Sequence, residues 1–335
     1  MAPTVVPFEQ RHLEAAAGLL AARQARDRAR EPLLPAAFER PPAVRPHLER
    51  LFLQAGSAGV VALRRDRPVG FLLGGAILPG PRHFMAQFFP PRAMLIPYHG
   101  HALASDEDSS LYRDLYAALA EGWVRRGFFE HFVHLADRDT AAREAWDSLG
   151  FARELTCALR DVGSPVGNPG RVEVHRAGAE DVDVIEALNE ALWQHHVGSP
   201  IFAPHLREAD EGSRERTLEL LADAANPHFV AYRDGQALGM NTFMAPAFLS
   251  PLLTPEACTY LLQGIVHGHA RGGGVGRALL AHSMDWAQGQ GYDWCALHFY
   301  ASNISGAAFW QANHFQPVEH RLRRRVDERI AWAGT

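Results

Sequence analysis

The chain has 335 residues, 47% of them hydrophobic and 21% charged, with a net charge of −5. This is ordinary globular composition on a chain too long for one typical core, so two domains are expected. The acidic balance excludes a general nucleic-acid binder. With no 18-residue apolar run and no charged-then-apolar leader, the expectation is a cytoplasmic protein without membrane association.

Cys157, Cys258 and Cys295 stand far apart, which excludes a disulfide framework and a cysteine-built metal site. All 33 basic residues are arginine. Schiff-base chemistry and the G-x-x-x-x-G-K-[ST] phosphate loop both need a lysine and are excluded with it.

Taken in chain order, the elements repeat. Ala62 to Gly70 reads as two short strands joined by a polar turn, and Ala231 to Gly239 reads the same way 169 residues later. His99-Gly100-His101-Ala102 recurs as His267-Gly268-His269-Ala270. Gly127, His134, Trp146 and Phe151 answer Gly291, His298, Trp310 and Phe315 at an offset of 164. The fall in offset predicts a four-residue difference between the tetrapeptide and the end of the next helix.

Between the halves, Gly163-Ser164-Pro165-Val166-Gly167-Asn168-Pro169-Gly170 is a run of breakers and reads as a linker. The second half predicts a strand at Val172–Arg176, helices near Asp181–Gln194 and Arg214–Ala225, and strands near His228–Arg233, Ala237–Met244 and Thr259–Val266. A helix near Val275–Gln288 follows, then a strand at Asp293–Tyr300, a helix near Gly306–Gln311 and a strand at Val318–Val326. The basic run Arg321 to Arg325 fits a last strand with one wet face. The pattern predicts two copies of one α/β domain with a mixed α+β sheet, antiparallel early and with a strand–helix–strand crossover late.

Four glycines open the helix after the strand at Thr259–Val266, in Arg271-Gly272-Gly273-Gly274-Val275-Gly276-Arg277. Glycines let amides crowd an anion, and the helix start adds unpaired N–H groups and the positive dipole end, so a phosphate site is expected. A dinucleotide fingerprint is disfavoured. It would open the domain and be followed about 20 residues on by an acid, which is lacking here.

With these residues placed, the second half resembles the GNAT superfamily of acyl-CoA-dependent N-acetyltransferases, whose signature is Arg/Gln-x-x-Gly-x-Gly/Ala between the fourth strand and third helix. Arg271, Gly274 and Gly276 match it. The run Val266 to Arg271 occupies the V-x-P-E-Y-R approach, with Gly268 where proline is usual. Asn303, Trp310 and Phe315 lie roughly on N-x-x-A-x-x-x-Y-x-x-x-G-F, with Gly306 as the small residue, Trp310 replacing tyrosine and His314 replacing glycine.

The resemblance implies two tandem GNAT-like acyltransferase domains: a degenerate one over residues 1–162, a linker over 163–171, and one over 172–335 holding the acyl-CoA site. Mycothiol synthase is similar in architecture. It also implies acetyl-CoA as cosubstrate, a small-molecule amine as acceptor, no metal, and a monomer or homodimer. The coenzyme A pyrophosphate would lie on the amides of Arg271, Gly272, Gly273, Gly274, Val275, Gly276 and Arg277. The backbone at Val266, beside His267, would polarise the thioester; Asn303 would meet the cofactor while capping its helix, with Trp310 at the tyrosine position.

Tryptophan cannot act as the acid for a leaving thiolate, so Tyr300 is the phenol candidate and His267 the candidate base. The loop from His195-His196 through Phe202 to Glu208-Ala209-Asp210-Glu211 is expected to line the acceptor site, its acids suiting a cationic amine. In the first half, Leu103-Ala104-Ser105-Asp106-Glu107-Asp108-Ser109-Ser110 replaces the glycines and Asp139 replaces Asn303. Its carboxylates repel a pyrophosphate, and that half is expected to be silent. A non-catalytic acyl-CoA sensor and a nucleotide-binding regulator remain as rival readings.

Overall fold

A computed structural model describes residues 3–246 and 249–333. The first half contains β1 (Thr4–Pro7), α1 (Leu13–Arg30), α2 (Pro41–Leu53), β2 (Ala58–Arg64), β3 (Arg67–Ile77), β4 (Ala93–Ile96), β5 (His101–Leu103), α3 (Leu111–Arg125), β6 (Glu130–Ala136), α4 (Thr140–Asp147) and β7 (Ala152–Asp161). The second contains β8 (Glu173–Arg176), α5 (Val182–Val197), α6 (Ser213–Ala222), β9 (His228–Arg233), β10 (Gln236–Met244), β11 (Cys258–Val266), α7 (Val275–Gly289), β12 (Trp294–Tyr300), α8 (Ile304–Ala312) and β13 (Gln316–Arg325).

Local chemistry explains the matching parts. The hairpins β2–β3 and β9–β10 turn on two residues of positive φ, Arg65-Asp66 and Asp234-Gly235, as the twist of tight hairpins requires. Helix α7 buries Val275, Leu279, Leu280, Met284 and Ala287, and α3 buries Leu111, Leu115, Leu119 and Trp123, each a stripe at helical spacing facing the sheet. Among the described residues, no helix is long and apolar enough to cross a membrane.

The thirteen strands of the described residues form one mixed sheet in the order β1-β2-β3-β4-β6-β13-β7-β12-β11-β10-β9-β8, with β5 paired to β3. The two halves have traded their last strands. β13 lies between β6 and β7, and β7 lies between β13 and β12. His320 faces Thr156, two positions 164 residues apart, so this pair sits where an approximate two-fold relates the halves.

That position corrects the expected one-sided surface strand. Glu319, His320 and Arg321 are buried at the centre of the sheet. The Arg321 guanidinium is held by Glu154 at 2.7 Å and lies over the rings of Phe89 and Phe132 at 4.6 and 5.2 Å, so its charge is compensated rather than solvated.

The strand register also corrects the repeat. Gly239 faces Val266, and Gly70, its counterpart, faces Leu103. The next amides agree: His267 N–H donates to Leu238 at 2.9 Å, and Ala104 N–H donates to Val69 at 2.8 Å. The counterpart of His267 is therefore Ala104, not His99. The first half inserts a turn, Tyr98–Gly100, between β4 and β5 where β11 runs unbroken. After it, residues 104–110 answer 267–274, so the first-half loop is one residue shorter than its counterpart instead of differing by four.

Candidate active site

Strands β11 and β12 run parallel and are paired from Cys258–Trp294 to Leu261–Leu297, beyond which they separate. In an antiparallel ladder, hydrogen bonds alternate between the two sides of a strand. Because the His267 amide points to β10, the amides of Gly264 and Val266 point the other way, into the gap left by β12. Two backbone donors thus face an opening rather than a neighbour.

The gap ends at the start of α7. Gly272 and Gly274 have φ of +80° and +77°, a conformation costly for any residue with a Cβ. At Gly274 a Cβ would also fall 2.5 Å from the Gly170 nitrogen, and Gly170 N–H donates to the Gly274 carbonyl at 3.1 Å. The linker thus braces the loop from behind. The Ala278 amide returns to Gly274 at 3.0 Å, leaving those of Val275, Gly276 and Arg277 without a partner in the helix.

A cleft of about 380 Å³ joins these donors. Val266, Arg271, Gly272, Gly274, Val275, Gly276, Arg277, Asn303 and Trp310 all line it. Arg271 donates to the Val266 carbonyl at 3.1 Å, and with Arg277 places exposed cations at the mouth. Asn303 caps α8 by accepting from Gly306 N–H at 3.0 Å. Trp310 lies against Gly264, where a Cβ would come within 3.1 Å of its ring.

Gly273 and His267 are not among the lining residues. His267 stacks on His269 at 5.5 Å in the turn after β11, outside the lining of both cavities.

Inside the cleft lies a second chamber of about 340 Å³. The two share Leu192, His196, Gly264, Asn303 and Trp310. Tyr300 lines the inner chamber, its ring edge-on to His196 at 5.4 Å. Burial pushes the Tyr300 phenol up, so it is a neutral donor. Burial, then the neighbouring His195, lowers His196 to about 4, and its Nδ1 is buried without a partner. His196 stands at the junction of the two cavities; sequence reasoning treated it only as part of a loop.

Of the predicted acceptor loop, His195 and His196 line the cavities, but its acidic stretch does not. Glu211 pairs with Arg82 at 2.8 Å, Asp210 pairs with His205 at 3.1 Å, and Phe202 is 71% exposed. The acid inside is Glu319, 1% exposed, whose Oε1 accepts from His134 Nδ1 at 2.9 Å. Burial alone would raise its pKa, but His134, His298 and His320 outweigh that and hold the carboxyl below its usual range. His298 is joined to the Tyr260 hydroxyl at 2.9 Å and is lowered to about 4, first by burial. Ligand-type atoms of Cys157, His298 and Glu319 lie within 4.8 Å of one another, but burial pushes the thiol well up and keeps it protonated.

A separated parallel strand pair, a glycine-opened helix and a chamber behind them form one continuous site. Residues 187–315 match the model of the acetyltransferase (GNAT) family, a match that lies within the second half. The fold is similar along its whole length to a GCN5-related N-acetyltransferase from Sphaerobacter thermophilus, at 13% identity and a TM-score of 0.59, covering 96% of this chain and 95% of that one. It is also similar to the GCN5-related glucosamine N-acetyltransferase region of a fungal multi-domain GH3 beta-N-acetylglucosaminidase, at 12% identity and a TM-score of 0.56, covering 96% of this chain and 38% of that one. No curated protein matches the sequence. The fold class is therefore that of two tandem GNAT-like units, here sharing one sheet.

Proposed function

We propose that the second half binds acetyl-CoA and that the protein transfers the acetyl group to a small-molecule amine in the cytoplasm, by direct attack within a ternary complex. The observation that carries this reading is the continuity of the glycine-loop cleft with the inner chamber through the gap between β11 and β12. A pyrophosphate suits the free amides at the start of α7 and the cations Arg271 and Arg277. The pantetheine arm suits the gap, where the Gly264 and Val266 amides can donate to the thioester oxygen as negative charge develops on it.

In the transfer, the amine nitrogen bonds to the carbonyl carbon and the C–S bond breaks. The ammonium must lose one proton before attack, the nitrogen loses a second after it, and the thiolate takes one. His196, neutral at physiological pH, offers an acceptor at the junction of the cavities, and Tyr300 offers a proton to the thiolate in place of the tyrosine that Trp310 replaces. No covalent acyl-enzyme is needed.

Thiol release from acetyl-CoA in the presence of amines tests the reading. Tyr300→Phe is expected to lower kcat by about 100-fold with the coenzyme A Kd from calorimetry unchanged. Trp310 supports a second reading, an acyl-CoA sensor, and tight coenzyme A binding without thiol release for any amine would establish that instead.

A further inference from the structure

The lining of the inner chamber divides by chemistry. Phe84, Met85, Phe88 and Phe89, from the segment after β3, form an apolar part together with Leu192 and Trp193 of α5. Phe84 and Phe88 pack at 5.1 Å, and Phe84 remains 42% exposed, so aromatic surface reaches from solvent into the chamber. The polar part lies over the traded strands and their neighbours: Glu319 on β13, Cys157 on β7, His134 on β6 and His298 on β12.

Two ionic side chains meet there, and they differ. Arg321 is matched by Glu154 and by two rings. Glu319 has no arginine partner among the described residues and is held only by His134. Two histidines from equivalent strands, His134 and His298, thus converge on one carboxylate. A buried carboxylate flanked by imidazoles and aromatic surface is a setting for a single cation with an apolar body.

We propose that the acceptor is a small apolar primary amine of about one aromatic ring, its ammonium drawn toward Glu319 by way of His298 and its body resting on Phe84 and Phe88. This rests on the acyltransferase reading and names its substrate class. A chamber of about 340 Å³ takes such a molecule with a short arm reaching the β11–β12 gap. A sugar amine would leave hydroxyls unpaired against the phenylalanines, and a polyamine would leave a second ammonium without a carboxylate. The first half thus supplies Phe84 and Phe88 to this recognition.

The test uses the full chain and four probes: phenethylamine, its neutral counterpart 2-phenylethanol, glucosamine and spermidine. By calorimetry on the free protein, phenethylamine is expected to bind about 10-fold more tightly than 2-phenylethanol, and Glu319→Gln to remove that difference. With acetyl-CoA, kcat/KM for phenethylamine is expected to exceed that for glucosamine and spermidine by about 100-fold. Phe88→Arg, on a partly exposed turn, is expected to weaken phenethylamine by about 10-fold with the coenzyme A Kd unchanged, and reads the chamber even if the Glu319 variant does not fold.

Glucosamine or spermidine matching phenethylamine overturns the proposal, as does an amine-to-alcohol ratio that survives Glu319→Gln. Failure of coenzyme A to bind would remove the transferase reading, whereas the amine–alcohol comparison on the free protein judges the chamber separately.

Discussion

The two halves share a fold, yet a cleft opens in one and the same place is filled in the other. Three substitutions account for the difference. Gly264 on β11 corresponds to His101 on β5, Gly276 on α7 to Tyr112 on α3, and Leu192 on α5 to Arg23 on α1. In the first half these larger groups meet. The Tyr112 hydroxyl lies 3.0 Å from His101 Nδ1, and Arg23 lies 3.1 Å from the same nitrogen. His101 Nε2 donates to the His134 carbonyl at 2.9 Å, so Nδ1 is left to accept from both. Arg23 also donates to the carbonyls of Tyr98 and His101 and lies over the Tyr98 ring at 4.0 Å, and Asp27 receives the Tyr98 hydroxyl at 2.6 Å. This network occupies the space that coenzyme A is proposed to take in the second half, and Arg26 bonds the Leu103 carbonyl at 2.8 Å from the side where a ligand would enter. The lesson is that a nucleotide cleft in this fold is closed as effectively by two side chains opposite each other as by the charge of its loop.

Moving one of those side chains across is the strongest way to break the comparison. Gly276→Tyr installs the first half's phenol where a Cβ already meets the Phe309 ring at 3.1 Å and the Val266 side chain at 3.6 Å. Ring rotation can absorb that contact, so the fold should persist, but the cleft should not. The expected result is a loss of coenzyme A affinity of about 100-fold or more, roughly 2.7 kcal/mol, by calorimetry. Circular dichroism should remain that of the parent. Unchanged affinity would mean that the ligand does not pass Gly276, and the assignment of the cleft would fall.

The glycine-loop wall of the site was legible because it is local. Residues 271–277 are contiguous, and Asn303 and Trp310 sit on the next helix, so motif spacing and space agree. The inner chamber was not legible, because it depends on which last strand joins which half. β7 and β13 derive from the same repeat and read alike, and nothing in Glu154 to Arg160 or Val318 to Arg324 distinguishes a strand that stays from one that crosses. Burial of Glu319 follows only once β13 is central. The pairing of His267 with His99 failed for a related reason. The repeated tetrapeptide suggested His99 as its counterpart, whereas the inserted turn at Tyr98–Gly100 shifts the pairing by several residues, and strand register rather than letter identity decides equivalence.

Buried histidines sharpen the comparison by separating structure from site. His99 is lowered to about 3 and His131 to about 4 in the first half, and His196 and His298 to about 4 in the second, each first by burial. His131 Nε2 donates to the Phe128 carbonyl at 3.1 Å, so its Nδ1 accepts from the Tyr116 hydroxyl at 2.7 Å, a neutral ring with both nitrogens used. Its folded value lies below the unfolded 6.5, so the unfolded chain binds the extra proton. Stability is therefore lost as pH falls through 6.5, and the loss is complete near 4. Between pH 7 and pH 5 such a histidine removes about 2 kcal/mol. His131→Phe should reduce the pH 7-to-5 drop in urea-unfolding stability by about that amount and leave coenzyme A affinity at pH 7 unchanged. An unaltered drop would place the acid sensitivity elsewhere.

The smallest expected effect separates the two reasons for the silence of the first half. Its loop carboxylates are already engaged. Glu107 is gripped by Arg64 through two contacts of 2.7 Å, Asp106 pairs with Arg67 at 3.1 Å, and Asp108 accepts from the Ser110 amide at 2.8 Å just before α3, where the second half leaves amides for an anion. Replacing Asp106, Glu107 and Asp108 together by glycine frees that amide and removes three negative charges, so a loop-charge explanation predicts a second coenzyme A site. With Arg23, His101 and Tyr112 still meeting across the cleft, the pantetheine arm has nowhere to go. Titration calorimetry should keep the number of sites found in the parent, with an unchanged Kd. A gain of one site would show that charge alone closes this half, and that the buried network yields to ligand.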